Sequence, residues 1–266
     1  MDNETTQWAT TPPLAGKSAV VTGGSRGIGR AIVHRLAADG ATVVFSYAGN
    51  EGAAKAVVAE VEAAGGRALA VAADMSDLAE LEQLFTAADE HFAGLGITGL
   101  DILVNNAGIA LLKPMTEVTE AEYDRVMTVN TKGAFFALQQ AIPRLRDEGR
   151  IVCVSTMITV LTRPLESVYA ASKAAVDQFV RTAAEALGRR GITVNAVSPG
   201  PVDSGQGGML RNSTSAEERQ MAAQMTPLGR VGAPEDIADV IAFLVSPDAR
   251  WLTGQNIRAT GGLVKG

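Results

Sequence analysis

The stretch Ser18-Ala19-Val20-Val21-Thr22-Gly23-Gly24-Ser25-Arg26-Gly27-Ile28-Gly29 decides the fold. It begins with a short apolar run that is typical of a strand buried on both faces. Glycines follow, and apolar residues at helical spacing then continue to Gly40. A strand, a glycine turn and a helix form the first unit of a dinucleotide-binding fold, because the turn and the helix N-terminus together offer N–H groups to a pyrophosphate. A purely structural tight turn is the alternative interpretation.

Strand and helix patterns alternate along the rest of the chain. We predict further strands at residues 42–46, 69–72, 101–104, 151–154, 192–197 and 255–259, and helices at 51–64, 77–92, 118–145, 167–189 and 237–245. Such alternation with short connections predicts an α/β fold: a single-domain Rossmann-type doubly wound sheet of about seven parallel strands with helices on both faces. We expect residues 1–14 to form a flexible tail, 15–266 to form the domain, and 205–226 to act as a substrate lid.

Composition excludes several classes of protein. The 266 residues carry a net charge of −6 with no run of like charges, which argues against a nucleic-acid surface or a basic membrane-binding face. No apolar run reaches the ~20 residues of a membrane span, so a cytoplasmic protein is expected. Cys153 lies in an apolar run and is interpreted as a packed strand residue. His34 and His91 show no metal-ligand spacing, so no metal site is expected.

The end of the second predicted strand indicates the type of cofactor. Proteins that bind NAD often carry an acid there, which holds the ribose 2′-hydroxyl. This chain has no acid between Ser46 and Asn50, whereas Arg26 lies inside the glycine loop. A guanidinium without a competing carboxylate suits a 2′-phosphate, so we predict NADP(H) rather than NAD. The alternative is that Arg26 is simply solvated.

Tyr169 and Lys173 are four residues apart in a helical pattern, so their side chains leave the same face of the helix. An ammonium near a phenol favours the phenolate and brings its pKa towards the working range of an acid or base. This spacing also occurs on many solvated helix faces, so the pair needs support from the rest of the chain.

That support comes from six motifs in order, which together resemble the short-chain dehydrogenase/reductase family over roughly residues 14–262. They are the glycine loop at 22–29, Asp74, Asn105-Asn106-Ala107-Gly108, Asn130, the Tyr169 and Lys173 pair, and Asn195 with Ser198-Pro199-Gly200. The segments at 47–51 and 227–230 are similar to those of 3-oxoacyl-carrier-protein reductases and related ketoreductases.

The resemblance implies roles for individual residues. Tyr169 would be the general acid in reduction, Lys173 would bind the nicotinamide ribose and lower the pKa of Tyr169, and Asn130 would hold a water in a proton relay. The implied cofactor site consists of Gly23, Ser25, Arg26, Gly27, Ile28, Gly29, Ser46, Tyr47, Asp74, Asn106, Ala107, Gly108, Tyr169, Lys173, Pro199, Gly200, Val202 and Ser204.

One catalytic position departs from the family pattern. The serine that orients the substrate usually stands about thirteen residues before the tyrosine, and this chain has Thr156 there. We assign the role to Thr156, because its hydroxyl can also donate to a carbonyl oxygen. A local bulge that brings the neighbouring Ser155 inward is the alternative.

The predicted substrate pocket is mostly apolar and contains Ile109, Thr156, Met157, Ile158 and Met209. We therefore expect NADPH-dependent reduction of an uncharged, fairly hydrophobic ketone to a secondary alcohol. The alternatives are an NAD-dependent alcohol or hydroxysteroid dehydrogenase, and a cofactor-sensing protein without turnover. The resemblance implies a homotetramer or homodimer. The late apolar residues Ile241, Phe243 and Leu244 could form subunit contacts or fill the core.

Overall fold

A parallel sheet of seven strands runs through the computed structural model, which describes residues 12–205 and 216–265. The strand order is β3-β2-β1-β4-β5-β6-β7, and every neighbouring pair is parallel. The strands are β1 Ser18–Val21, β2 Thr42–Tyr47, β3 Arg67–Ala72, β4 Leu100–Asn105, β5 Leu145–Val154, β6 Thr193–Pro199 and β7 Asn256–Ala259. The predicted fold class is therefore confirmed.

Helices connect successive strands and cover both faces of the sheet. They are α1 Gly27–Ala38, α2 Glu51–Ala63, α3 Leu78–Gly94, α4 Glu120–Met127, α5 Ala134–Ala141, α6 Ser167–Leu187, α7 Ala216–Met225 and α8 Pro234–Val245. Within the described parts of the chain, none of these helices combines the length and apolar character that crossing a membrane requires.

Alternate residues of each strand pack on opposite faces of the sheet. Val21 belongs to a cluster that α1, α2 and α8 cover, whereas Val20 belongs to a cluster that α3, α5 and α6 cover. Ile241 and Leu244 of α8 are fully buried in the first cluster, so they fill the core, while Phe243 on the same helix is exposed.

The direction of the chain across the sheet reverses beside β1. Strands β2 and β3 extend from one side of β1, and β4 pairs with its other side, with Val21 aligned to Val104. In open parallel sheets a crevice forms at such a reversal, outside the carboxyl ends of the strands. This geometry places the loops after β1 and β4 opposite each other.

The region predicted as one helix over residues 118–145 differs from that expectation. Helices α4 and α5 are separated by a π-helical turn at Thr128–Gly133, and α5 ends at Ala141. Leu145 already belongs to β5, where it pairs with Leu100 before the register shifts. The apolar residues of this region do not show where the helix ends and the strand begins, because the cores of helices and strands contain similar residue types.

Candidate active site

A cleft of about 670 Å³ opens at the carboxyl ends of β1 and β4. Every residue of the predicted cofactor set lines it, from the glycine loop after β1 to Ser204 after β6. Thr156 and Ile109 line the same cleft. The fold therefore brings the predicted cofactor residues and two of the predicted substrate residues to one place.

The glycine loop is packed too tightly to carry side chains. A Cβ atom on Gly29 would lie 2.0 Å from the carbonyl oxygen of Gly23 and 2.6 Å from Nδ2 of Asn106. Gly23 itself has φ of +69°, a conformation that favours glycine. Helix α1 consequently starts directly against the end of β1, which directs its first N–H groups into the cleft.

Thr22 joins the ends of β1 and β4. Its Oγ1 atom accepts hydrogen bonds from the backbone N–H groups of Asn106 at 2.9 Å and Ala107 at 3.0 Å. Asn106 Nδ2 in turn donates to the carbonyl oxygens of Thr22 at 2.9 Å and Gly23 at 3.0 Å. This network fixes the glycine loop against the loop that follows β4.

The end of β2 and Arg26 form the side of the cleft that the sequence assigns to a 2′-phosphate. Ser46 Oγ accepts a hydrogen bond from the backbone N–H of Gly23 at 2.9 Å, and Tyr47 and Asn50 line the cleft beside it. Arg26 is exposed, and none of the ion pairs between residues in the described ranges involves it. Its guanidinium is thus available to an anionic ligand.

Helix α6 and the end of β5 bring the predicted catalytic residues together. Tyr169 lies in the first turn of α6 and Lys173 in the next, and both line the cleft with Thr156. Lys173 Nζ donates a hydrogen bond to the backbone carbonyl of Val154 at 2.8 Å. The Thr156 hydroxyl accepts a hydrogen bond from the backbone N–H of Ile158 at 3.3 Å, which holds the turn after β5.

Burial controls the ionisation of Tyr169 and Lys173. It raises the pKa of Tyr169, a hydrogen bond from Thr156 acts in the opposite direction, and the charge of Glu166 raises that pKa further. Burial also lowers the pKa of Lys173 to about 8. The sequence leads us to expect that Lys173 lowers the pKa of Tyr169. Among the protein groups, burial instead raises this pKa because it disfavours the phenolate, and the Lys173 ammonium donates its hydrogen bond to the Val154 carbonyl.

The structure distinguishes Thr156 from Ser155. Both residues line the cleft, and Thr156 is the one whose side chain acts to lower the pKa of the Tyr169 phenol. Ser155 Oγ is buried and finds no hydrogen-bond partner within the described residues. Thr156 therefore stays our prediction for the second hydroxyl of the site, with Ser155 as the alternative.

Asn130 lies beneath the cleft rather than in its wall. It is 0 % exposed in the π-helical turn. Its Oδ1 accepts from the N–H of Ile109 at 2.8 Å, and its Nδ2 donates to the carbonyl of Ile109 at 2.8 Å and to Ser172 Oγ at 3.0 Å. Asn130 therefore ties the loop after β4 to α6, next to Lys173.

Two predicted substrate residues are not brought to the cleft. Met157 and Ile158 are 0 % and 3 % exposed and do not line it, because the 3₁₀ turn at Met157–Thr159 directs them into the interior. Met209 lies outside the described residues. Leu112, an apolar residue of the loop after β4 that the sequence also offers as a pocket candidate, lines the cleft, and so does Glu166, which was not predicted to do so. The acid at 166 precedes a helix, where acidic residues are common, so the sequence pattern gave no reason to select it.

Comparisons with known proteins agree with this geometry. A family model described as enoyl-(acyl carrier protein) reductase matches residues 23–264. A short-chain dehydrogenase/reductase from Serratia marcescens is 41% identical, with a TM-score of 0.86 over 94% of this chain and 99% of that one. The chain belongs to the short-chain dehydrogenase/reductase family. The family prediction is thereby confirmed.

Other members of the short-chain dehydrogenase/reductase family match over nearly their whole length. The angucycline C-6 ketoreductase LanV, solved with bound NADP, is 41% identical and has a TM-score of 0.90, covering 97% of this chain and 99% of its own. The hydroxynaphthalene reductase-like protein Arp2 of Metarhizium brunneum is 43% identical over 94% of this chain and 96% of its own. The chain is thus similar to oxidoreductases that include a ketoreductase.

Proposed function

We propose that the protein reduces a ketone to a secondary alcohol with NADPH, and that the substrate is uncharged and fairly hydrophobic. The observation that carries this proposal is the convergence of Tyr169, Thr156 and Lys173 in one cleft with an intact glycine loop. The apolar side chains of Ile109 and Leu112 beside them support an apolar substrate. Further support comes from LanV, a ketoreductase solved with NADP, and from relatives named as hydroxynaphthalene reductase-like. By analogy, we favour aromatic or polycyclic ketones.

The residues that would hold NADP(H) fit its chemical groups. The N–H groups of the glycine loop suit the pyrophosphate, and the exposed Arg26 suits the 2′-phosphate, since no carboxylate competes at the end of β2. When bound, NADPH supplies the hydride. The remaining cleft, beside Tyr169 and Ile109, would receive the ketone.

In the proposed reaction Thr156 and Tyr169 donate hydrogen bonds to the carbonyl oxygen, and Tyr169 then transfers its proton to that oxygen. Donors that are already oriented towards a developing negative charge stabilise the transition state more than the ground state. The raised pKa of Tyr169 keeps the phenol protonated at neutral pH, which suits an acid in the reductive direction. Lys173, held by the Val154 carbonyl one helical turn after Tyr169, is the cation that we propose stabilises the phenolate left behind.

Two alternatives remain as contrasting hypotheses. An NAD-dependent alcohol or hydroxysteroid dehydrogenase would use the same catalytic residues, but the cleft lacks an acid at the end of β2 to hold a 2′-hydroxyl. A cofactor-sensing protein without turnover would have no need for Thr156, Tyr169 and Lys173 to line one cleft. Both are less consistent with the cleft than NADPH-dependent reduction.

The test is a panel of carbonyl compounds assayed for consumption of NADPH and of NADH. The panel contains polycyclic aromatic ketones, aliphatic ketones, small keto acids and an enoyl thioester. We expect turnover of the apolar ketones with NADPH, and loss of that turnover in Tyr169→Phe. Exclusive use of keto acids, a clear preference for NADH, or full activity of Tyr169→Phe would each overturn the proposal.

We also propose that the protein assembles as a homotetramer or homodimer, as its family resemblance implies. Exposed aromatic side chains support an association surface: Phe135 and Phe243 are partly exposed, and Trp251 is 95 % exposed. Sedimentation velocity of the full chain tests this proposal. A monomer at micromolar concentration would contradict it.

A further inference from the structure

Glu166 is a mostly buried residue in the wall of the cleft. It is 4 % exposed, lines the cleft with Tyr169 and Thr156, and immediately precedes α6. Burying a carboxyl group is costly unless a hydrogen-bond or ion-pair partner compensates. The Glu166 carboxyl group therefore requires a hydrogen-bond donor or a cation from the protein or from a ligand in the cleft.

No such partner is found within residues 12–205 and 216–265. The carboxyl group takes part in none of the hydrogen bonds or ion pairs of the described chain. Lys113, on the neighbouring loop, is engaged by Glu122 at 2.9 and 3.0 Å. Arg163 acts on Glu166 only through space, and burial is the larger influence, so the pKa of Glu166 is raised. The protein thus leaves this carboxyl group without a donor.

The surroundings of Glu166 point to the substrate rather than the cofactor. The carbonyl of the preceding Leu165 accepts a hydrogen bond of 2.7 Å from the N–H of Lys113, which joins this segment to the loop that carries Leu112. Ile109 and Leu112 of that loop line the cleft. The phosphate-binding loop and Arg26 belong instead to α1 and the turn before it. Glu166 is therefore a carboxyl group beside the apolar Ile109 and Leu112 and the hydroxyls of Thr156 and Tyr169, in a cleft that Arg125 also lines.

Its spacing from Tyr169 restricts what it can contact. The two residues are three positions apart at the start of a helix, where the Cβ atoms of such pairs lie ~5–6 Å apart. A ketone whose oxygen meets Tyr169 consequently brings its neighbouring atoms within reach of Glu166. An anionic substituent would be repelled there, whereas a hydroxyl group would supply the missing hydrogen bond.

We propose that Glu166 binds a hydroxyl group of the substrate, so that the preferred substrates are hydroxylated ketones, phenolic or alcoholic, with the hydroxyl a few bonds from the reacting carbonyl. This inference rests on the proposed ketone reduction and narrows its substrate class. Glu166 is a specificity-determining residue here, and the proton for the carbonyl still comes from Tyr169.

Ring-hydroxylated tetralones and their methoxy counterparts test the inference. Methylation keeps the skeleton and removes the hydroxyl donor, so kcat/KM of the wild-type enzyme should be ~10- to 100-fold higher for the best hydroxy compound than for its methoxy analogue. In Glu166→Leu this ratio should collapse towards one, through loss for the hydroxy ketone and gain for the methoxy ketone. Glu166→Gln keeps a hydrogen-bonding oxygen and should retain an intermediate ratio.

Control variants and a binding measurement distinguish a failure of the inference about Glu166 from a failure of the proposed ketone reduction. Glu117, an exposed acid outside the cleft, gives a matched variant, Glu117→Leu, that should keep the wild-type ratio. NADPH affinity, measured by fluorescence titration of each folded variant, should change less than about threefold. A wild-type enzyme without selectivity, an equal loss for both ketones in Glu166→Leu, or a tenfold weaker NADPH affinity would overturn the inference. If no ketone in the broad panel is reduced, the proposed function itself has failed.

Discussion

The Nζ atom of Lys173 donates a 2.8 Å hydrogen bond to the backbone carbonyl of Val154. Val154 ends β5 two residues before Thr156, and Lys173 lies one helical turn after Tyr169. This bond therefore joins the two elements that carry the proposed hydroxyl donors. A lysine that was expected to act only on the phenol and the cofactor also fixes the distance between the strand and the helix.

The first prediction concerns the pH dependence of stability. Burial lowers the pKa of Lys173 from 10.5 to about 8, so between these values the unfolded chain binds more protons than the folded chain. Stability should therefore rise with pH in this window, by on the order of 2–3 kcal/mol. We expect the difference in unfolding free energy between wild type and Lys173→Met to increase by about this amount from pH 8 to 10.5. Denaturant titrations at several pH values measure it, and a constant difference would contradict the buried charge.

The second prediction separates the two adjacent hydroxyls of β5. Thr156→Val removes a donor to the developing oxyanion but keeps the shape of the side chain, so kcat should fall by ~10²- to 10³-fold. Thr156→Ser should keep most of the activity, because the hydroxyl remains. Ser155→Ala is the matched control and should change kcat by less than about threefold. If Ser155→Ala causes the larger loss in steady-state assays, the assignment of Thr156 is wrong.

The third prediction concerns the choice of coenzyme. Arg26 is exposed in the cleft just before α1, whereas Arg30, on α1, is paired with Glu60 at 2.7 Å. Arg26→Gln should weaken NADPH binding by ~10- to 100-fold and leave NADH binding nearly unchanged, because only NADPH carries the 2′-phosphate. Arg30→Gln should affect neither coenzyme. Isothermal titration of each coenzyme provides the measurement, and an equal loss of both in Arg26→Gln would argue against a phosphate contact.

The fourth prediction uses two glycines with opposite surroundings. The Cβ atom of Gly29→Ala would meet the Gly23 carbonyl at 2.0 Å, so the variant must displace the loop and should lose NADPH binding. Gly52, inside α2, has nothing closer than 3.7 Å to such an atom. Gly52→Ala should therefore be neutral or stabilise the protein by up to about 1 kcal/mol. Thermal unfolding with and without NADPH compares them, and retained coenzyme binding in Gly29→Ala would refute the packing argument.

The fifth prediction concerns Asn130 as a positioning residue. Asn130→Ala removes three hydrogen bonds that join Ile109 and α6, so it should destabilise the protein by about 1–3 kcal/mol and also lower kcat. Asn195 is a buried asparagine on β6 that bonds to the carbonyl of Leu252 at 2.7 Å. Asn195→Ala should cost similar stability but leave kcat per folded molecule unchanged. Equal effects of both variants on kcat would assign Asn130 a merely structural role.

Local signals in the sequence account for much of the fold. The run from Ser18 to Gly29 predicts β1, the turn and α1, and the structure contains them with boundaries shifted by one or two residues. The prediction of one continuous helix over residues 118–145 was wrong for a physical reason. The π-helical turn depends on hydrogen bonds from Asn130 to Ile109 and Ser172, which are distant in sequence and therefore leave no periodic signal.

In the site, too, the positions of residues in motifs of fixed spacing were predicted correctly, whereas those of residues whose placement depends on distant contacts were not. Motifs with fixed spacing, such as Tyr169 with Lys173, predicted residues that the cleft brings together. Met157 and Ile158 were misplaced because a single 3₁₀ turn decides whether residues after a strand face the cleft or the interior. Glu166 was overlooked because its burial and its lack of a donor are properties of the folded chain alone.

The position of Cys153 has a practical consequence. It is the chain's single cysteine, it lies 0 % exposed on β5 directly behind the reactive residues, and burial raises its pKa to about 12. Alkylating reagents can therefore reach this sulfur only when the central strands separate. The rate at which this thiol is alkylated in the unmodified enzyme would therefore report the rate at which the central strands separate.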